Sequence, residues 1–290
     1  MRDLHLVVAA ALLAACSGGQ EAPPAEMSDP DGGFTSSAPV DEIPAGAAEA
    51  QARLAASPRH AEWVTVRSGQ DSVRAWVVYP ERGDPAPVVL VVHEIFGLSH
   101  WVRAVADQFA ADGFIAIAPD MLTMRNIPPG PDGAPDPDVA RSEIQTVDRD
   151  ALHRQLLAVA EYGMSLPAAQ ESYGIVGYCW GGAVAFEHAA RSPSLGASVV
   201  YYGTSPDSAQ IVNVQAPVLG LYGENDERVN ATIEPAQQVM AGLASEYDPR
   251  IYPGAGHGFL RAQDGQDGAN LAATREAWPA TIAFFRQHLE

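Results

Sequence analysis

The stretch GYCWGG (Gly177–Gly182) places one of only two cysteines where an apolar run ends and a helical pattern begins. A cysteine kept for packing has no use for flanking glycines, whereas a nucleophile does. Gly177 and Gly181 remove β-carbons that would collide in a sharp, strained strand-to-helix turn. The Cys179 thiol then stands at a helix N-terminus, whose positive end favours thiolate over thiol. The Trp180 amide points the same way and can stabilise an oxyanion. Three further residues could complete such chemistry. His257, in YPGAGHGFLR, is flanked by glycines that have little packing purpose but leave a loop free to aim an imidazole. Alone, so near the chain end, it would read equally as a surface residue. Asp226, in LGLYGENDERV, follows a buried apolar run, where a carboxylate can orient a histidine and stabilise its cation. Glu224 and Glu227 are rivals, the first close to the strand end and the second expected to face solvent. Glu94 follows the apolar run PVVLVVH, with a strand-end salt bridge or a solvent-facing acid as its plain alternatives.

These side chains need a scaffold that brings them to one edge, and the hydrophobic pattern supplies it. EWVTVRSGQDSVRAWVVYP reads as two alternating runs about a turn, a hairpin. PVVLVV and FIAIAPD are continuous β-branched or apolar runs, as in strands buried on both faces. HWVRAVADQFAADG has helical spacing and closes on Gly113, and ARSEIQTVDRDALHRQLLAVAEYGMSL reads as one long amphipathic helix. Strands then follow over Tyr173–Gly177, Ala197–Tyr202, Val218–Tyr222 and Tyr247–Tyr252. Helices follow over Gly181–Ala190, Glu234–Ala244 and Leu271–His288. The expected fold class is α/β, a mostly parallel sheet with helices on both faces, in a single domain over 48–290. Ligands in such sheets bind beyond the carboxyl ends of strands, where all four candidates fall. The chain order nucleophile, acid, histidine is that of α/β-hydrolases.

Composition narrows the partners. The 290 residues carry a formal net charge of −19, and all 17 basic residues are arginine. No cationic cluster is present for phosphate backbones, so no nucleic-acid partner is expected. No histidine or acid has metal-ligand spacing, so neither a metal nor another cofactor is expected. His93 reads as a packed, hydrogen-bonded residue. The N-terminus, MRDLHLVVAAALLAACSGG, has an apolar core too short to span a bilayer but suited to a signal peptide over 1–15. Leu13-Ala14-Ala15-Cys16 resembles the bacterial lipobox, which makes Cys16 a lipidation site and the only membrane attachment. The Pro-, Gly- and Ser-rich residues 16–47 then read as a disordered tether. The expected location is the cell envelope, facing the periplasm. Ser17 resembles the outer-membrane sorting pattern. The mature domain keeps one thiol, Cys179, and a monomer is expected.

From about Trp63 to Phe285 the chain resembles the dienelactone hydrolase family. HEIFGL (His93–Leu98), APD (Ala118–Asp120), GYCWGG, GENDERV (Gly223–Val229) and GAGHGF (Gly254–Phe259) carry the likeness. The resemblance implies a Cys179–His257–Asp226 triad and a Glu94 that holds the resting thiol and helps form thiolate when substrate arrives. It also implies an oxyanion hole from the amides of Ile95 and Trp180. Family substrates carry a carboxylate gripped by two arginines. Arg261 falls where one is expected, and Arg125 is nearest to the other position, displaced by about a residue. The expected activity is hydrolysis of small esters or lactones through an acyl-thioester. Exported hydrolysis of larger neutral or acetylated esters is one alternative. A non-catalytic envelope binding protein is another.

Overall fold

The computed structural model describes residues 42–290. The expected signal peptide, the expected lipidation site Cys16 and the expected tether up to residue 41 lie outside the described residues.

Eight strands form one sheet: β1 (Ala61–Ser68), β2 (Asp71–Val78), β3 (Ala86–Val92), β4 (Ile115–Asp120), β5 (Ala169–Tyr178), β6 (Ala197–Tyr201), β7 (Val218–Asn225) and β8 (Tyr247–Gly256). Their order is β1-β2-β4-β3-β5-β6-β7-β8. The expected hairpin β1–β2 pairs antiparallel, and β2 joins β4 antiparallel. Every other pairing is parallel. The helices are α1 (Ala50–Ala55), α2 (His100–Ala111), α3 (Pro137–Glu143), α4 (Arg149–Met164), α5 (Trp180–Ala189), α6 (Ser208–Ile211), α7 (Glu227–Asn230), α8 (Ile233–Met240) and α9 (Ala269–Leu289).

Strand β3 shows why the helices divide between two faces. All seven of its residues are buried, and successive side chains point to opposite sides. Val89 and Val91 join a core with Phe109 of α2 and Phe285 of α9. Val88, Leu90 and Val92 join a second core with Leu156 of α4, Val184 of α5 and Ala236 of α8. Both faces are therefore covered, as a parallel sheet requires.

Two expectations are corrected. The long helix from Ala140 to Leu166 is broken, because α3 ends in a 3-10 turn over Ile144–Thr146 and Val147 is extended (φ −68°, ψ 124°). Asp148 then caps α4, accepting from the Ala151 amide at 2.7 Å. A side chain that satisfies helix-start donors competes with helix continuation, which the apolar periodicity does not register. The tether also ends earlier than residue 47. Ile43 and Ala45 are buried, Trp101 donates to the Ala45 carbonyl at 3.2 Å, and the Ala47 amide donates to Arg261 O at 2.9 Å.

Candidate active site

Cys179 connects β5 to α5 with φ 56° and ψ −114°, a conformation that costs a non-glycine residue roughly 1–3 kcal/mol. The surroundings enforce it. The Cys179 amide donates to Tyr201 O at 3.0 Å, and its carbonyl accepts from Gly182 and Ala183 at 3.0 and 3.2 Å. A Cβ on Gly177 would lie 1.8 Å from Gly181 O, and one on Gly181 would lie 2.4 Å from Val92 O. Both glycines are therefore required by close backbone approach. Trp180 is the first residue of α5, so its amide is among those that a helix leaves unpaired. Ile95, beyond the end of β3, belongs to neither a helix nor a strand. It packs with Leu122 and Trp180.

Asp226 lies directly after β7 and is 7% exposed. Its Oδ2 accepts from His257 Nδ1 at 2.5 Å. The rival Glu224 is instead held by the Gly254 amide at 2.8 Å, and Glu227 is exposed in the first turn of α7. Burial works to lower the His257 pKa, but hydrogen bonds to Asp226 and Cys179 outweigh it and raise it to about 9. His257 is thus a cation at neutral pH, between a carboxylate and a sulfur. The ring of Tyr202 meets it edge-on at 5.2 Å.

Glu94 is 3% exposed, and its Oε2 pairs with Arg261 Nε at 3.0 Å. Burial raises its pKa to about 7, against the lowering pull of Arg261 and His257. The resemblance implied a carboxylate resting on the thiol. Here the carboxylate rests on Arg261 and the thiol interacts with His257. His93 behaves as expected. Nδ1 donates to Glu94 O at 2.6 Å and Nε2 accepts from the Met121 amide at 3.1 Å, which fixes one neutral tautomer.

Arg125 does not join the site. Its guanidinium donates to Thr146 O at 2.9 Å and pairs with Glu143 at 3.8 Å. The left-handed Asn126 (φ 52°) ends the turn that carries it. Arg141 of α3 comes closer instead. Its guanidinium lies 5.4 Å from the Phe96 ring centroid, the same distance as that of Arg261. Sequence reading missed Arg141, Phe96 and Tyr202. Tyr202 alone left a local signal, standing at a strand end beside Gly203. Its φ of 40° and unpartnered buried hydroxyl are visible only in three dimensions. Among the described residues no group of three or more His, Cys, Asp or Glu side chains could hold a metal ion.

A mostly parallel sheet, a strained cysteine turn after β5, and an acid and a histidine after β7 and β8 define an α/β-hydrolase. The chain matches the dienelactone hydrolase family over residues 73–289, and it belongs to that family. It is similar to a Salmonella typhimurium protein assigned the name carboxymethylenebutenolidase, 30% identical over 84% of this chain and 96% of the relative. An Escherichia coli K12 protein of the same name is 28% identical over 79% of this chain and 87% of its own. A crystal structure assigned as a dienelactone hydrolase from Klebsiella pneumoniae superposes with a TM-score of 0.69. It is 27% identical, covering 79% of this chain and 99% of the other. The protein is accordingly a hydrolase of the dienelactone hydrolase type.

Proposed function

We infer that the protein hydrolyses small esters or lactones bearing a carboxylate, through an acyl-thioester on Cys179. The observation that carries this reading is the line from Asp226 through His257 to the Cys179 sulfur at the strained turn. Cys179 Sγ, as thiolate, attacks the carbonyl carbon and forms a C–S bond. The carbonyl oxygen takes the negative charge opposite the amides of Trp180 and Ile95. Collapse breaks the C–O bond, and the leaving alkoxide takes its proton from the His257 imidazolium. With a lactone this oxygen stays tethered to the acyl group. Water then attacks the thioester carbon and gives its proton to His257. The C–S bond breaks, releasing the acid and restoring the thiolate.

Arg261 and Arg141, each 5.4 Å from the Phe96 ring, supply the cations for a substrate carboxylate, since a guanidinium fork matches a carboxylate bidentately. The name shared by the relatives denotes a lactone with a carboxylic acid arm, which supports the same class. Arg261 is occupied by Glu94 before substrate arrives. A substrate carboxylate that takes Arg261 frees Glu94 and removes a pull that lowers its pKa, which makes it a stronger base towards any neutral thiol.

The test compares dienelactone with a neutral aryl acetate on wild type, Cys179→Ala and Arg261→Gln. Loss of both activities in Cys179→Ala, with Arg261→Gln losing mainly dienelactone turnover, is the expected result. Full hydrolysis by Cys179→Ala would remove the mechanism. Indifference of dienelactone turnover to Arg261→Gln would remove the carboxylate grip. The envelope location rests on the Leu13–Cys16 motif, and radiolabelled palmitate entering wild type but not Cys16→Ser would support it.

A further inference from the structure

A second cavity, about 560 Å³, opens beside β2, three strands from β5 in the sheet order. Trp63, Arg74, Arg103, Leu98, Leu122 and Asp120 are among its walls, and none of Cys179, Asp226 and His257 is. Its size falls within the roughly 300–1,000 Å³ typical of small-molecule sites.

Its charge is unusual for a chain of net charge −19. The Arg74 guanidinium lies 3.9 Å from the Trp63 ring centroid. That of Arg103 lies 5.7 Å from Trp63 and 5.6 Å from Trp76. Two cations thus share the Trp63 indole, which meets that of Trp76 edge-on at 5.2 Å. Among the described residues no carboxylate pairs with either guanidinium within 4.0 Å. His100 does not neutralise them. Its Nδ1 accepts from Arg103 at 2.6 Å while Nε2 donates to Asp132 O at 3.0 Å, so the imidazole is neutral. Asp120 is the acid on the wall, and its Oδ1 already accepts from the Leu122 amide at 3.0 Å. Burial, and then repulsion from Arg74, lower the Arg103 pKa against a smaller raising pull from the Asp132 carboxylate.

Arg103 Nε and Trp76 Nε1 are buried donors with no acceptor. Leaving such groups unmet is unfavourable, more so where the group is charged. A ligand that accepts from Arg103 removes the penalty and separates the two like charges with an opposite one. The apolar walls at Trp63, Leu98 and Leu122 would cover a carbon body behind that acceptor.

We propose that the Trp63–Arg74–Arg103 cavity binds a small organic oxyanion, a carboxylate or a phosphate ester, at a site separate from the catalytic one. Benzoate and phenyl phosphate serve as probes, titrated into full-length protein by calorimetry with tryptophan fluorescence read in parallel. Saturable binding of at least one probe is expected, and whichever binds more tightly identifies the oxyanion. Arg74→Gln and Arg103→Gln each weaken it about tenfold or more, the loss of one hydrogen bond to a charged group. The titrations are run in the Arg261→Gln background, which removes benzoate held at the active site and leaves the Arg74-dependent binding in place, so that the two sites are told apart. Arg74 is exposed, so Arg74→Gln removes little packing and decides the matter even if Arg103→Gln fails to fold. No saturable binding of either probe, or binding that survives Arg74→Gln, overturns the proposal.

Discussion

Between Glu94 and His257 burial pulls in opposite directions, raising the one pKa and working to lower the other. Burial holds the Glu94 carboxyl protonated up to about 7. Hydrogen bonds hold His257 protonated up to about 9 despite burial. If turnover needs an ionised Glu94 and a cationic His257, kcat/KM rises as pH climbs through about 7 and falls through about 9. Glu94→Gln should erase the acidic limb and keep the alkaline one, as read from a pH profile on a carboxylate-bearing lactone. Cys179→Ala should lose about 10³-fold or more in kcat, because no other group supplies the nucleophile. Burst kinetics on an aryl ester would reveal the acyl-thioester in wild type and its absence in the variant.

At the scale of elements, α5 follows the strained Cys179 at one end and carries a buried histidine at the other. The turn preceding it leaves no room for a side chain at Gly177, where a Cβ would fall 1.8 Å from Gly181 O. Gly177→Ala should therefore destabilise the fold by about 3 kcal/mol or more, read as a lower urea midpoint. At the far end His188 is 1% exposed, with Nδ1 3.2 Å from His153 Nδ1 and Nε2 3.1 Å from the Tyr173 hydroxyl. Burial, with further lowering from His153 and Arg191, holds its pKa to about 3. The unfolded chain takes up this proton below about 6.5 and the folded one does not, so His188 makes stability fall as pH drops from there towards 3. His188→Gln should flatten that slope in urea unfolding at successive acidic pH values.

At the scale of the whole molecule, the first of the described residues reach the loop that carries Arg261. Residues 43–47 lie against the loop that carries Arg261, through Ala47 N to Arg261 O and through Gln263 to the Pro44 carbonyl at 2.8 Å. Ile43 is buried beneath them at 1% exposure, worth roughly 1.5–3 kcal/mol. A chain beginning at residue 48 should be less stable by about 2 kcal/mol in urea unfolding. Its KM for a carboxylate-bearing lactone should rise more than its kcat falls, because the Arg261 loop loses its support. Equal losses on charged and neutral esters would show that the segment only stabilises the fold.

Short-range physics made much of this protein readable in its residues. Continuous apolar runs marked the buried strands, and glycines about Cys179 marked a turn that only a strained backbone fits. The placement of Asp226 and His257 just past two strands put them on one edge of the sheet. Only the tertiary structure decided the partners. Arginine is the sole cationic side chain in 17 places, so spacing along the chain could not distinguish Arg125, tied to Thr146 and Glu143, from Arg141, turned towards Phe96. Glu94 likewise had thiol, imidazole and guanidinium within prospect, and the fold gave it the guanidinium. The break at Val147 and Asp148 and the early packing of Ile43 follow the same rule. Local sequence fixes which conformations are cheap. Which distant side chain a buried charge meets depends on how the helices and loops close over the sheet.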